Sequence, residues 1–134
     1  MMKKLLLPLV LATFLAACTQ ETPQTATPDP IKESVGCYSG TIPAADAPGI
    51  DVKIVLKEDK TYERTSIYQE RNDKFDETGT WSIDDKKMIV LSPKDGSAYP
   101  MQWENEKIVF LMPDGKKIEG ELAGQYILNR CTPK

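Results

Sequence analysis

From Val35 to Asn129 short β-type runs alternate with turn signals, and no stretch of twelve residues carries a convincing helical period. The runs are Val35–Ile42, Asp51–Lys57, Thr61–Tyr68, Thr78–Ile83, Met88–Leu91, Ala98–Trp103, Ile108–Met112, Lys117–Glu119 and Ala123–Asn129. In the second, Val52, Ile54 and Leu56 share one face, the period-2 pattern of a half-buried strand. Between them lie Glu58-Asp-Lys60, Asp84-Asp-Lys86, Pro93-Lys-Asp-Gly96, Glu104-Asn-Glu106 and Pro113-Asp-Gly115. In the last of these proline fixes φ and glycine accepts a positive one. Gln69–Asp76 reads as a polar excursion outside the strands. The pattern predicts an all-β fold, a small antiparallel meander that closes as a barrel or half-barrel of about eight strands.

The N-terminus has a different grammar. Lys3 and Lys4 precede an apolar run from Leu5 to Leu15, interrupted only by Pro8 and Thr13, and Ala16 and Ala17 precede Cys18. That is the layout of a secretory leader, too short to remain as a membrane-spanning helix. Leu15-Ala16-Ala17-Cys18 also resembles a bacterial lipobox, which implies cleavage of residues 1–17 and acylation of Cys18, the protein's attachment to a membrane. The alternative is an ordinary signal peptide with a chance cysteine. Thr19, rather than Asp, after the cysteine is similar to signals that sort to the outer membrane, with the domain facing the periplasm. Residues 18–34 hold Pro23, Pro28 and Pro30 and almost no large apolar side chain, so they read as a flexible tether with a reach of roughly 20–25 Å. Residues 35–134, about 100 in number, suffice for one domain with a modest core.

Loss of the leader would leave 15 basic against 20 acidic residues, interspersed, which gives no footprint for nucleic acid. With Cys18 given to lipid, Cys37 and Cys131 remain as an even pair in an oxidising compartment. A disulfide between them would close a loop of 94 residues, worth ~4–5 kcal/mol in the chain-entropy model. Two free, buried thiols are the other reading. There is no histidine, so the commonest general base and the commonest metal ligand are both missing. No cofactor, metal site or catalytic residue is expected, and nothing in the chain argues for an enzyme.

One connection departs from hairpin grammar. Ile42-Pro43-Ala44-Ala45-Asp46-Ala47-Pro48-Gly49-Ile50 is low in charge, and Asp46 is its only ionisable group. It reads either as a contact loop presenting Asp46 to a partner, or as a loop shaped by Asp46 bonding backbone amides in an Asx-type turn. Taken with Gly36-x-Tyr38-x-Gly40, Asp59-x-Thr61-Tyr62 and Gly79-x-Trp81, this block resembles the N-terminal domain of the NlpE (CutF) lipoproteins. The resemblance covers nearly all of residues 36–130 and implies a shortened lipocalin-like barrel on an outer-membrane lipoprotein. It also implies links to copper homeostasis and to envelope-stress signalling through a sensor protein. The family loop usually reads Pro-Cys-Ala-Asp-Cys, whereas this chain has Ala44 and Ala47 at the two cysteine positions. Alanine neither holds Cu(I) nor cycles as a dithiol, so copper chemistry does not carry over to Pro43–Gly49.

Met88, Met101 and Met112 are the remaining soft ligands of the domain, and in apolar strands they read as core filler. Tyr38, Tyr62, Tyr68, Trp81, Tyr99 and Trp103 either line a cavity for a small apolar ligand, as in lipocalin-like carriers, or fill the barrel themselves. The leading reading is a non-enzymatic envelope sensor or interaction module; the alternative is an apolar-ligand carrier. A protein inhibitor, similar in size and compartment to the lysozyme-inhibitor lipoproteins, ranks third.

Overall fold

The computed structural model of the chain describes residues 28–132. The leader, Cys18 and the tether as far as Thr27 lie outside the described residues. A short helix α1 (Pro30–Ser34) precedes eight strands: β1 (Gly36–Ile42), β2 (Ile50–Leu56), β3 (Thr61–Tyr68), β4 (Asp73–Ile83), β5 (Met88–Pro93), β6 (Tyr99–Glu104), β7 (Lys107–Phe110) and β8 (Ile127–Cys131). Each pairs antiparallel with its neighbours, and β8 returns to β1, so the sheet is a closed up-and-down barrel.

Alternation sets which side chains enter the barrel. Tyr38, Val52, Ile54, Leu56, Tyr62, Trp81, Ile89, Leu91, Met101, Trp103, Ile108 and Leu128 are buried and make one core cluster. Tyr38 and Tyr62 are the largest of the fully buried side chains, so rings and aliphatics occupy the barrel axis. Hairpin chemistry keeps the register. Asn105 and Glu106, with φ of 49° and 64°, join the facing pair Glu104 and Lys107. Two consecutive positive φ values make the turn whose twist matches that of the strands.

Closure is covalent as well as hydrogen-bonded. Cys37 sits directly opposite Cys131 in the β1–β8 ladder, with Cα atoms 5.1 Å apart, and the two form a disulfide. The cysteines are therefore bonded rather than free.

The last residues of the segment expected to be tether, Pro30–Ser34, are helical instead. Asp29 caps α1, its carboxylate accepting from the Ile31 N–H at 3.0 Å, and Pro30 occupies the first turn where no N–H is needed. Ile31 and Val35 pack on the core, and this apolar pair within a polar, proline-rich stretch is what anchors the segment. Ser34 is fully buried; its carbonyl accepts from the Tyr38 hydroxyl at 2.7 Å, and that hydroxyl in turn accepts from Trp103 Nε1 at 2.9 Å. The Arg130 guanidinium lies 5.1 Å from the centre of the Tyr38 ring and donates to the carbonyls of Val35 and Glu33 at 2.9 and 2.5 Å. One end of the barrel is thus plugged by α1.

Three other local expectations change. The excursion at Gln69–Asp76 is only a turn at 69–72, because β4 begins at Asp73 and pairs with the whole of β3. Its first residues carry polar side chains on both faces, which hides the alternation. Lys117–Glu119 makes a single bridge, Lys117 to Leu111, around the Pro113–Gly115 turn. Ala123–Gln125 is a 3₁₀ turn, so the last strand starts at Ile127, not at Ala123.

Candidate functional site

Up-and-down connectivity brings the connections 43–49, 69–72, 94–98 and 111–126 to the end opposite α1. Ile42 and Ile50 pair across the base of the first of these. Gly49 is buried there, and a Cβ on it would lie 2.7 Å from the Thr41 methyl. Glycine therefore lets the two connections meet: the Gly49 carbonyl accepts from the Gln69 N–H at 3.0 Å. On the outer face below, Asp51 Oδ1 accepts from Thr41 Oγ1 at 2.6 Å and from Gln69 Nε2 at 3.0 Å. The loop is held at its root, while Ala45 and Asp46 at its tip are exposed.

Asp46 does not shape its own loop. Its carboxylate reaches Arg71 of the β3–β4 turn, Oδ2 to Nη1 at 3.3 Å, and Arg71 also faces Asp73 at 3.5 Å and the Tyr68 ring at 5.1 Å. With side chains 47% and 65% exposed, the Arg71–Asp46 pair is worth at most ~0.5 kcal/mol to stability. It amounts to a charged surface across two connections, with Pro43, Ala44 and Ala47 half-buried beneath it.

Inside the barrel at the same end lies a polar network. Arg64 on β3 and Glu77 on β4 face each other as cross-strand partners. Tyr99 links them: its hydroxyl accepts from Arg64 Nη1 at 3.0 Å and donates to Glu77 Oε2 at 2.5 Å. Tyr62 donates to the same oxygen at 2.8 Å, and Arg64 Nε donates to Ser66 Oγ at 3.2 Å. The guanidinium carbon stands 5.7 and 5.6 Å from the Tyr99 and Phe110 ring centres. Burial raises the Tyr99 phenol pKa, with the Arg64 charge pulling it partly back. Burial, followed by the bond to Glu77, raises Tyr62 further still. Both phenols therefore stay protonated as donors, and the network is bonded within itself. Arg64 and Glu77 were missed as candidates in the sequence. The available signal was parity, because both share the inward alternation of Tyr62 and Trp81.

A barrel of this form, with a rooted loop between its first two strands, matches a family model. That model is described as the NlpE N-terminal domain, and it covers residues 38–121. The chain belongs to this family. Among relatives, the 17 kDa lipoprotein of Treponema pallidum (strain Nichols) is 26% identical over 107 residues, 71% of this chain and 69% of that one. A Shewanella oneidensis crystal structure assigned as a lipoprotein superposes with a TM-score of 0.64 at 28% identity, over 73% of this chain and 89% of that one. The Cpx pathway activator NlpE from Escherichia coli superposes with a TM-score of 0.58 at 25% identity, over 64% of this chain. The match spans 46% of that longer relative.

In this NlpE-type barrel Ala44 and Ala47 bring no donor atom to the loop. The methionines do not replace them: Met101 points into the core at 0% exposure, Met88 is on the opposite face of the sheet, and Met112 is exposed. Among the described residues no group of three or more His, Cys, Asp or Glu is placed to hold a metal. Among the described residues the donor atoms do not fit a copper centre.

Proposed function

We propose that the chain acts as a non-enzymatic lipoprotein of the bacterial envelope, anchored in the outer membrane through Cys18, and that it reports envelope stress by protein contact. The observation that carries the reading is the NlpE family match on a barrel whose axis is filled by its own side chains. A filled barrel offers its surface rather than its interior, and the exposed loop tip with the Asp46–Arg71 pair is the surface built at the end remote from α1. The named activity of the Escherichia coli relative, activation of the Cpx pathway, supports the same direction.

A lipidated domain on a tether reports its own location, since a mis-sorted copy stays where an inner-membrane sensor can meet it. The test is to overproduce the acylated chain in a Gram-negative host carrying an envelope-stress reporter. Induction that rises further with Thr19→Asp, which keeps the acylated chain at the inner membrane, supports the proposal. An unchanged reporter with correct acylation refutes it.

A further inference from the structure

β4 outruns its neighbour. It pairs with β3 along its length, from Asp73 to Thr80, but with β5 only from Gly79 to Ile83. The N–H of Trp81 points to β3, donating to the Lys60 carbonyl at 2.8 Å, so alternation turns the main-chain groups of Lys74, Asp76 and Thr78 the other way. The Thr78 carbonyl is used by the Lys94 N–H at 3.0 Å. Among the described hydrogen bonds, none reaches the N–H or C=O of Lys74 or Asp76 from that side. Beside this free edge lies a cleft of about 290 Å³ lined by Phe75, Glu77, Pro93 and Asp95. Phe75 is 58% exposed, resting edge-on against Tyr68 at 5.5 Å.

We infer that a second copy of this chain docks on the edge, β4 to β4, antiparallel about a two-fold axis through Phe75. The register follows from charge. With Phe75 facing Phe75 of the other copy, Lys74 of each copy faces Asp76 of the other, and both residues of each pair point their free main-chain groups outward. Four N–H···O=C bonds form, two opposite-charge pairs flank them, and two exposed rings cover each other. Shifting by two residues sets Asp76 against Asp76 or Lys74 against Lys74. Lys74 and Asp76, 3.5 Å apart within one copy, exchange partners across the axis, while Asp73, which then faces Glu77 of the other copy, is already held by Arg71, and Glu77 by Tyr62 and Tyr99. The short strand pairing makes a weak, reversible contact rather than a permanent dimer.

The test is in-cell cross-linking of the full chain. Phe75→Cys places two thiols across a directly facing pair, within disulfide range; Asp85→Cys, in the exposed β4–β5 turn, is the control. With mild oxidant, the Phe75→Cys dimer is expected to form ~10-fold faster than the control dimer. Adding Lys74→Asp or Asp76→Lys alone is expected to slow it ~10-fold, and adding both to restore it within ~3-fold. All four side chains are exposed, and an intact Cys37–Cys131 bond in each variant verifies folding. Equal rates for Phe75→Cys and Asp85→Cys, or no rescue by the double reversal, would overturn the inference.

Discussion

The Cys37–Cys131 bond joins the first strand to the last, and removing it is the sharpest perturbation of closure. In Cys37→Ala/Cys131→Ala the unfolded chain regains the freedom of a loop of 94 residues. The chain-entropy expression puts this at ~4–5 kcal/mol. Cys37 is 2% exposed, so truncation adds a small cavity, of order 1 kcal/mol or less. Against this, the β1–β8 ladder holds three facing pairs, and Arg130 donates to two carbonyls before β1; these interactions remain in the variant. The expected loss is ~4–6 kcal/mol, a large part of the roughly 5–15 kcal/mol that a domain ordinarily has. Tm should fall by ~20 °C or more. Trp81 and Trp103, both buried, provide a fluorescence signal for equilibrium denaturation of the oxidised protein and the double variant. The denaturant slope should rise as well, because the uncrosslinked unfolded state exposes more surface. A loss below ~1 kcal/mol with an unchanged slope would refute the reasoning. It would mean that the unfolded chain is already compact, or that the ladder alone fixes closure.

Three further outcomes are expected. Gly79→Ala would put a Cβ 2.8 Å from Pro93 Cα and 2.9 Å from the Ser92 carbonyl carbon; β4 and β5 must part, costing ~2 kcal/mol or more by denaturation. Tyr38→Phe leaves Trp103 Nε1 and the Ser34 carbonyl without their shared partner, at a cost of ~1–3 kcal/mol and with faster amide exchange in α1. Tyr38, Tyr62 and Tyr99 have raised pKa values when folded. The stability they contribute is fully present below the unfolded value near 10 and is lost as pH rises above it, by up to ~4 kcal/mol per pH unit if all three are resisting. A urea midpoint that stays constant from about pH 9 to about pH 11.5 would contradict this.

The barrel was legible because its signal is local. Val52, Ile54 and Leu56 alternate visibly, and Pro113-Asp-Gly115 announces its turn whatever the rest of the chain does. The start of β4 was hidden because Asp73–Asp76 lies on a hairpin arm that β5 does not cover, so Phe75 stands alone there among polar residues and shows no alternation. Helix α1 was hidden by composition: Pro30 and Ser34 read as tether, and only the packing of Ile31 and Val35 reveals a plug. The Arg64–Tyr99–Glu77 network joins residues 35 and 22 positions apart. Short-range spacing carries no trace of it, although parity along β3 and β4 does. The loop block Pro43–Gly49 stood out by composition, but its fastening to the next hairpin through Gln69 and Arg71 depends on which connections share an end.

Contact signalling through the loop end is tested most directly by the envelope-stress response to Asp46→Ala/Arg71→Ala, compared with Asp85→Ala at the plugged end, at matched expression and acylation. The first pair removes only exposed contacts, those of Arg71 with Asp46, Asp73 and the Tyr68 ring, so the fold should be little affected. Loss of most of the response in the loop-end variant, with the plugged-end variant signalling normally, is the expected result. A loop-end variant that signals as strongly as the unaltered chain would contradict it.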